Sequence, residues 1–467
     1  MYVSERLATW GATVSSEHTE AARTAAKHAI QDVVGCMIAG AGDEGAASVR
    51  NAIQGLGDGQ SVVAGRLGKA SSPYAALANG MAAHSLDFDD TFLEAITHAS
   101  ASLVPALFAL GDEINATGDD IIDAYIVGLE MHGALGRALN RSHYEQGWHA
   151  TATIGVIGTA GACARLMKLD AGRFAHAMNL AFSSAGGTKV QFGSMAKPLH
   201  AGLAAKNAIE AAKLAEAGVE GRVNALEGPM GMMEIYGGPT APGWEYGLET
   251  LGDPLAIERQ GLTVKRFACC AATHRAIDCV LDLMAENKFA ADDVASVNVQ
   301  VRPGQVKNLR YSAPDSEFEA RFSMQYCVSV ALQSGTIGLS DFTPAAVQRP
   351  EIRELFGMID MQAHDLEKEC DSETTHLPAI VDIVLKDGQA LHAAQEIPKG
   401  DAANPLSDAE RLAKFTDCCQ GFLPEKDINA LQNSINTLES LESVRDCTRH
   451  LRFEAGADRG ERFERRA

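Results

Sequence analysis

The chain has 467 residues, of which 46% are hydrophobic and 22% charged, and its formal net charge is -21. A chain of this length exceeds one ordinary hydrophobic core, so we expect two domains. The acidic surface disfavours nucleic acids and anionic membranes as partners, because both repel negative charge. An anionic substrate is compatible with this composition only if the protein offers it a locally basic pocket.

The ten cysteines indicate a reducing compartment. Two adjacent pairs, Cys269-Cys270 and Cys418-Cys419, suit neither a zinc site nor an ordinary disulfide. The first residues, "MYVSERLATWGATV", lack the apolar run of a signal peptide, and no uninterrupted apolar segment approaches the length of a membrane span. We therefore expect a cytoplasmic protein with reduced thiols.

Helical periodicity dominates the first 265 residues. Apolar residues recur at three- and four-residue steps in "HTEAARTAAKHAIQDVVGCMIAG", "GDDIIDAYIVGLEMHGALGRAL", "TATIGVIGTAGACARLMKL" and "AGLAAKNAIEAAKLAEAG". Two of these segments are rich in alanine and glycine, so they can pack backbone close to backbone. Glycine and aspartate in the intervening turns are typical of helix ends.

The pattern changes after about Gly261. A helix is predicted over residues 271–286, a strand over "ASVNVQVRP", and a further helix over "ARFSMQYCVSVALQSG". The segment "PAIVDIVLKDGQALHAAQEI" indicates a hairpin that turns at Asp387-Gly388. This middle part of the chain therefore predicts an α+β domain.

Helical patterning returns from about Pro405, and the charged end "EAGADRGERFERRA" is expected to fray. We therefore predict a mostly α protein with an α+β part. A large all-helical domain would take residues 1–264 and 402–467 from both chain ends, and a smaller inserted α+β domain would take residues 265–401.

The segment "HSLDFDDTFLEAITHAS" concentrates acidic residues between two histidines. On a helix, Asp87 and Asp90 would share a face, with Asp89 elsewhere. The sequence "DDT" could also cap the start of a helix. Asp87 follows the apolar "MAAHSL", so we expect it to be buried, and a buried carboxylate must be paired with a cation or stay protonated.

Two other readings of the same segment are disfavoured. "DFDD" resembles the acid motif of class II terpene cyclases, but those enzymes need an aromatic-lined cavity and this chain has few aromatic residues. The carboxylates could instead bind Mg²⁺, but no phosphate-binding loop accompanies them.

Two further segments carry candidate acid, base and cationic groups. In "EQGWHATATIG", His149 directly precedes a helix of small residues, where a lowered pKa would leave a neutral imidazole able to act as a base. The alternative is that His149 has only a packing role at the start of this helix. In "GSMAKPLHAGLAA", Lys197 precedes a proline that would open a helix, and His200 follows three residues later. The helix dipole disfavours a cation at a helix N-terminus, so a lysine there suggests that an anion binds between the lysine and the end of the helix.

The segment "TVKRFACCAATHRAID" lies at the predicted domain junction, a common location for ligand clefts. Lys265 stands at the junction itself, and His274 lies inside the next helix. We interpret Cys269 and Cys270 as small apolar packing residues.

Together, "NGMAAHSLDFDDT", "GWHATATIG", "GSMAKPLHAGLAA" and "VKRFACCAATHRAID" resemble the MmgE/PrpD family, and the likeness runs from about residue 5 to about residue 440. This family includes 2-methylcitrate dehydratase, cis-aconitate decarboxylase and iminodisuccinate epimerase. The resemblance implies a helical domain from both chain ends, a smaller α+β domain and an active site between them. It also implies a homodimer that needs no metal or organic cofactor.

Carried over residue by residue, the resemblance implies a site lined by Asp87, Thr91, His98, His149, Lys197 and Lys265. His200 and His274 belong to the same motifs, and we assign them to substrate binding with Asp87, Thr91 and Lys265. The family chemistry loosens a bond at a carbon beside a carboxylate, which requires a base and cations that hold the developing charge. We expect His149 to be one acid/base group and Lys197, His98 or Tyr144 to be the second, with Asp87 as a buried counter-ion.

The chain departs from the family pattern at two places. Many relatives read "HPS" where this chain has His98-Ala99-Ser100, and methylcitrate-type dehydratases continue with aspartate where this chain has Ala101. "KRFACC" replaces the common "KPYPCC". These differences favour an epimerase of the iminodisuccinate type, ahead of a 2-methylcitrate-type dehydratase and a cis-aconitate-type decarboxylase. A polycarboxylate-binding protein without activity is the remaining alternative, and the intact motif side chains disfavour it.

Overall fold

The computed structural model describes residues 1–365 and 377–455. These residues form two compact units: unit 1 comprises residues 1–264 and 408–455, and unit 2 comprises residues 265–365 and 377–407. The charged chain end that we expect to fray lies, from residue 456 onwards, outside the described residues.

Unit 1 is built almost wholly from helices. In chain order they are α1 (Val3–Thr13), α2 (Glu20–Gly40), α3 (Glu44–Ala52), α4 (Ser72–His84), α5 (Ala99–Ile114), α6 (Gly118–Leu139), α7 (Ser142–Glu145), α8 (Ala150–Leu166), α9 (Ala171–Phe182), α10 (Ala196–Glu216), α11 (Trp244–Leu248) and α12 (Ala256–Arg259). Two short strands, β1 (Ser61–Val62) and β2 (Lys69–Ala70), pair antiparallel between α3 and α4.

Side-chain caps define where several of these helices begin. The Thr117 hydroxyl accepts a hydrogen bond from the backbone N–H of Asp120, and the Asp120 carboxylate accepts one from the backbone N–H of Thr117. This reciprocal pair satisfies donors that the first turn of α6 leaves unpaired. Thr19 caps α2 in the same way, by accepting from the backbone N–H of Ala22.

Helices α4 and α10 approach each other more closely than ordinary side chains would allow. A Cβ atom added to Gly80 would lie 2.7 Å from the Cα atom of Gly202, and one added to Gly202 would lie 2.3 Å from the carbonyl oxygen of Leu77. Larger residues at these positions would push the two backbones apart. The alanine- and glycine-rich patterns therefore do produce close backbone packing, and this packing brings the start of α10 beside the end of α4.

Unit 2 combines helices with a four-stranded sheet. Its helices are α13 (Ala271–Asn287), α14 (Pro303–Asn308), α15 (Glu317–Ala320), α16 (Met324–Ser334), α17 (Pro344–Val347) and α18 (Pro350–Arg353). Its strands are β3 (Val294–Val301), β4 (Ile359–Ala363), β5 (Ala379–Leu385) and β6 (Ala390–Gln395), in the order β4-β3-β5-β6. Helix α13 packs on β5 and β6, and α16 packs on α13 and β4.

The remaining helices of unit 1 follow unit 2 in the sequence. They are α19 (Asp408–Cys419), α20 (Glu425–Asn436) and α21 (Arg445–Thr448), and α19 packs against α2. Among the described residues, no helix combines the length and apolar character needed to cross a membrane.

The mostly helical fold class with a smaller α+β part is confirmed. The four helical patterns of the first 265 residues correspond to α2, α6, α8 and α10, and the predicted hairpin forms as β5 and β6 with antiparallel pairing. The sequence reading missed β4, which pairs parallel with β3 at the edge of the sheet. Its sequence, "IDMQA", does alternate apolar and polar residues, but it has only five residues, and most of this edge strand is exposed or half-buried.

Candidate active site

The chain leaves helical conformation directly after α4, and Asp87 adopts a left-handed backbone with a φ of 50°. Aspartate tolerates this conformation better than most residues. The predictions that Asp87 and Asp90 share a helix face, and that Asp89 or Asp90 caps a helix, are wrong, because the next helix, α5, begins only at Ala99. All three carboxylates are instead buried in a loop, where each contacts at least one other side chain.

Asp87 forms a buried ion pair with Lys197 in the first turn of α10. The Lys197 Nζ atom donates to Asp87 Oδ1 over 2.7 Å, and both residues are 5% exposed. Close packing of α4 on α10 positions the two residues for this contact. Removing one partner of a buried pair leaves an uncompensated charge, which typically costs about 3–5 kcal/mol. The structure thus gives Asp87 the cation that its burial requires.

Asp89 lies between two histidines. Its Oδ1 atom is 2.9 Å from His84 Nδ1, and its Oδ2 atom is 3.1 Å from His98 Nδ1. The same Nδ1 atom of His98 lies 2.9 Å from the carbonyl oxygen of Asp90, which can only accept. His98 therefore carries a proton on Nδ1, so its neutral form has a lone pair on Nε2, which is 4.0 Å from Asp87 Oδ1.

The charge states of these groups follow from burial and from each other. Burial works to raise the pKa of Asp89, but His84 and His98 more than offset it and hold that pKa well below its usual range. Burial lowers the pKa of His84 to about 3, although Asp89 works in the opposite direction. Asp89 is therefore ionised at neutral pH, and His84 is a neutral imidazole that donates to it from Nδ1.

His149 occupies the N-cap position of α8, where the sequence places it, and pairs with His200 of α10. The two Nδ1 atoms are 2.9 Å apart. The Nε2 atom of His149 is buried and has no hydrogen-bond partner in the described part of the chain. Phe192 lies against both candidate groups, with its ring centroid 5.1 Å from that of His149 and 5.3 Å from Lys197 Nζ.

The pKa of His149 is held well below its usual value, as the sequence suggests. Burial is the largest cause, and the neighbouring His84, Lys197, His200 and His98 add to it when they are charged. His149 is therefore a neutral imidazole at physiological pH, which is the form that can accept a proton.

A second set of polar contacts stabilises the loop between α4 and α5. Asp90 accepts a hydrogen bond from the Ser100 hydroxyl, which also lies 2.7 Å from the Tyr125 hydroxyl. Burial raises the pKa of Asp90 to about 8, so its carboxyl group is protonated at neutral pH. On the other side, Lys414 of α19 donates to the carbonyl oxygen of Phe88 over 2.8 Å and pairs with Asp32 of α2 over 2.7 Å.

Two predicted site residues of unit 1, Thr91 and Tyr144, make contacts outside this cluster. Thr91 forms a backbone bridge with Thr263 and is half-buried. Tyr144 lies in the short helix α7, where Lys189 Nζ sits 3.7 Å from its ring centroid. The structure therefore brings Asp87, His98, His149, Lys197 and His200 together, and it supports Tyr144 as the second acid/base group less directly than Lys197 or His98.

Lys265 and His274 belong to unit 2. Lys265 is 1% exposed, and His274 Nε2 lies 3.1 Å from the carbonyl oxygen of Cys269. Cys269 is buried, as the packing interpretation requires, but its Sγ atom lies 3.2 Å from the Thr273 hydroxyl. Burial works to raise the pKa of Cys269, yet Cys327, His274 and Thr273 lower it to about 5, so this thiol is more than a small apolar group.

Sequence reasoning did not assign three residues of the cluster to the site: His84, Asp89 and Phe192. The signal for the first two was present, because "HSLDFDD" places a histidine five residues before an aspartate in an apolar context. No sequence signal identifies Phe192, since a lone aromatic residue in a loop is ordinary.

Four of these side chains could also hold a divalent metal ion. His84, Asp87, Asp89 and His98 each offer one ligand atom, and these atoms lie within 4.8 Å of one another. Imidazole and carboxylate groups are suitable ligands for zinc and related ions. Lys197 already supplies a positive charge to Asp87, so a metal ion at this cluster would compete with the lysine.

A histidine-rich, lysine-containing cluster inside a helical unit, in a chain with a separate α+β unit, defines a candidate acid/base site. The sequence matches the family description "MmgE/PrpD N-terminal domain" over residues 5–245 and "MmgE/PrpD C-terminal domain" over residues 267–440. The chain belongs to the MmgE/PrpD family.

Curated relatives share this breadth of similarity. The chain is 29% identical to a cis-aconitate decarboxylase of Mus musculus, over 80% of this chain and 77% of the relative. It is 29% identical to the Homo sapiens protein of the same name, over 80% and 78%. It is 24% identical to an Aspergillus terreus cis-aconitate decarboxylase, over 79% of each.

Proposed function

We propose that this protein is an enzyme that transfers a proton at a carbon beside a carboxylate of a small polycarboxylic acid. This proposal rests on one observation: a buried cation and a buried neutral base both lie next to the ring of Phe192. Lys197 supplies the cation, and His149 presents an Nε2 atom without a partner among the described residues. The resemblance and the family membership support the same class of chemistry.

In this mechanism each residue has a separate task. The Lys197 ammonium attracts a substrate carboxylate and stabilises the charge that develops on it when the neighbouring carbon loses a substituent. Asp87 holds Lys197 in place through the 2.7 Å contact. His149 moves the proton, and general acid/base catalysis of this kind contributes about 10²- to 10⁴-fold per group.

Among the reactions of this class, we propose decarboxylation of cis-aconitate or a closely similar tricarboxylate. The carbon–carboxylate bond breaks, CO₂ leaves, and the electron pair stays on the substrate until His149, which first takes a proton from solvent on Nε2, donates that proton to carbon. The named activity of the curated relatives, cis-aconitate decarboxylation, supports this reaction. A homodimer, which the resemblance implies, is part of the proposal.

Epimerisation of an iminodisuccinate-type acid is the second candidate, and one geometric observation favours it. An epimerase needs two proton-handling groups on opposite faces of one carbon. The ring centroids of His98 and His149 are 6.4 Å apart, and the His98 side chain retains 14% of its surface exposed. Two imidazoles at this separation could flank a bound carbon atom.

Incubation in D₂O with cis-aconitate, iminodisuccinate and 2-methylcitrate in turn tests these candidates. Release of CO₂ with one deuterium in the product identifies a decarboxylase. Deuterium incorporation with inverted configuration identifies an epimerase, and a new alkene absorbing in the ultraviolet identifies a dehydratase. Absence of turnover and of isotope exchange with all three acids would contradict the proposed function.

A further inference from the structure

The contact between His149 and His200 joins two like atoms. Their Nδ1 atoms are 2.9 Å apart, which is hydrogen-bond distance. One Nδ1 atom must therefore carry a proton and the other a lone pair. The two rings consequently hold opposite tautomers when both are neutral, and a change in one ring requires a change in the other.

The two histidines differ in their surroundings. His149 is 1% exposed, whereas His200 is 7% exposed and lies on the side of the pair with more access to solvent. Gly187 makes room for the His200 ring, because a Cβ atom at this position would lie 3.2 Å from both Nδ1 and Cε1 of His200. The carbonyl oxygen of Gly187 accepts from the backbone N–H of His149 over 3.1 Å, so this glycine lies beside both histidines.

We propose that His200 is the proton-relay partner of His149, which is an inference that rests on the proposed function. In the resting pair His149 carries its proton on Nδ1 and His200 carries its proton on Nε2. When His149 Nε2 takes a proton, the Nδ1 proton of His149 passes to Nδ1 of His200. The His200 imidazolium then releases its Nε2 proton to solvent, and the reverse sequence lets His149 act as an acid.

The difference in burial drives the proton onward. Burial and the Lys197 ammonium disfavour a positive charge on both rings. His98, from the loop before α5, adds to this at His149 when it carries a second proton, whereas His84 is neutral and adds no charge. Because His149 is the more deeply buried ring, an imidazolium is less stable there than at His200, so transfer towards His200 is downhill.

The matched variants His200→Asn and His200→Ala separate relay from positioning. The asparagine side chain has a polar atom near the place of Nδ1, so it can keep the hydrogen bond to His149 but cannot pass a proton on. We expect kcat to fall on the order of 10²-fold in both variants, with KM within about threefold of wild type. Added imidazole should restore part of the activity of His200→Ala, and the base-limb pKa of the pH–rate profile should shift.

Wild-type activity, isotope exchange and pH profile in His200→Asn would overturn the relay and leave His200 with a positioning role only. Nitrogen-15 NMR of histidine-labelled resting enzyme tests the pair without any substrate. Opposite tautomers on the two rings are expected, and identical tautomers would contradict the proposal. Because this measurement needs no turnover, its result stays separate from the substrate test: failure of all three acids with opposite tautomers present would count against the function alone.

Discussion

Two buried lysine–aspartate pairs flank the loop between α4 and α5, and they have nearly the same geometry. Lys197 contacts Asp87, and Lys414 contacts Asp32, each over 2.7 Å between Nζ and Oδ1. Their surroundings differ. Lys197 lies among the histidines, whereas Lys414 also binds the carbonyl oxygen of Phe88 and sits 4.0 Å from the centroid of its ring.

This difference indicates that a buried ion pair is not by itself a sign of catalysis. Burial lowers the pKa of Lys414, but Asp32 more than offsets this and raises it, so Lys414 is a permanent cation that anchors the loop. Around Lys197, the neighbouring imidazoles of His98 and His149 add groups that can gain and lose protons. We therefore infer that the first pair acts on substrate and the second holds the loop that carries Asp87.

The largest effect is expected for His149, the imidazole that moves the proton. His149→Gln should lower kcat by about 10²- to 10⁴-fold, because the group that moves the proton is lost. His132→Gln is the matched control: His132 is also fully buried, and burial lowers its pKa to about 3, but its ring contacts Thr97 and Thr159. Steady-state kinetics and thermal melts of both variants check this. Equal losses of activity would remove the special role of His149.

Charge-neutral replacement of each pair tests the comparison directly. Asp87→Asn/Lys197→Met should lower kcat/KM by about 10²- to 10³-fold, because the cation that stabilises developing charge is gone. Asp32→Asn/Lys414→Met should keep activity within about tenfold and lose about 1–3 kcal/mol of stability, because the Phe88 carbonyl loses its donor. Kinetics and urea unfolding measure both. The assignment fails if the two double variants lose activity to the same extent.

The pH dependence of stability should differ between the two neighbouring aspartates of the loop. The pKa of Asp90 in the folded protein is about 8, whereas that of an unfolded aspartate is about 4. Protonation of Asp90 therefore stabilises the fold fully below about pH 4, and this contribution is lost as the pH rises to 8. Relative to Asp90→Asn, wild type should lose up to about 1.4 kcal/mol per pH unit in this window. Asp89 has the opposite sign, since its pKa is lowered and its stabilising contribution is lost as the pH falls.

Urea unfolding of wild type, Asp90→Asn and Asp89→Asn at several pH values measures these trends. The stability of Asp90→Asn relative to wild type should rise between pH 4 and 8, whereas Asp89→Asn should be the less stable protein throughout that range. A constant difference between wild type and Asp90→Asn would show that the buried carboxyl group is ionised in the fold.

The smallest effect is expected from metal removal. Chelators should leave activity unchanged, because the proposed mechanism uses side chains alone. Excess Zn²⁺ should inhibit, since an ion at His84, Asp87, Asp89 and His98 would compete with Lys197. Saturating substrate should protect if it occupies the same site. Loss of activity in a chelator, followed by recovery on adding metal, would instead assign the cluster a resident ion.

Local pattern was enough to predict the helices and the hairpin, because amphipathic spacing and turn residues act within one element. It also predicted a buried Asp87, but it failed for the two aspartates that follow, which look like helix caps. The partners of the three carboxylates lie 5 to 110 residues away along the chain. It also failed at β4, where an edge strand of five residues is too short for its alternation to stand out.

The sequence by itself determined the helical character of this protein, the family to which it belongs, and the chemical types gathered in its motifs. Only the tertiary structure decided which groups meet: Lys197 with Asp87 rather than Lys414, His84 with Asp89, and His200 with His149. The physical reason is that such contacts depend on how elements pack, as the close approach of α4 and α10 at Gly80 and Gly202 does for Lys197 and Asp87. Periodicity reports which face of a helix is apolar, but it does not report which helix that face will meet.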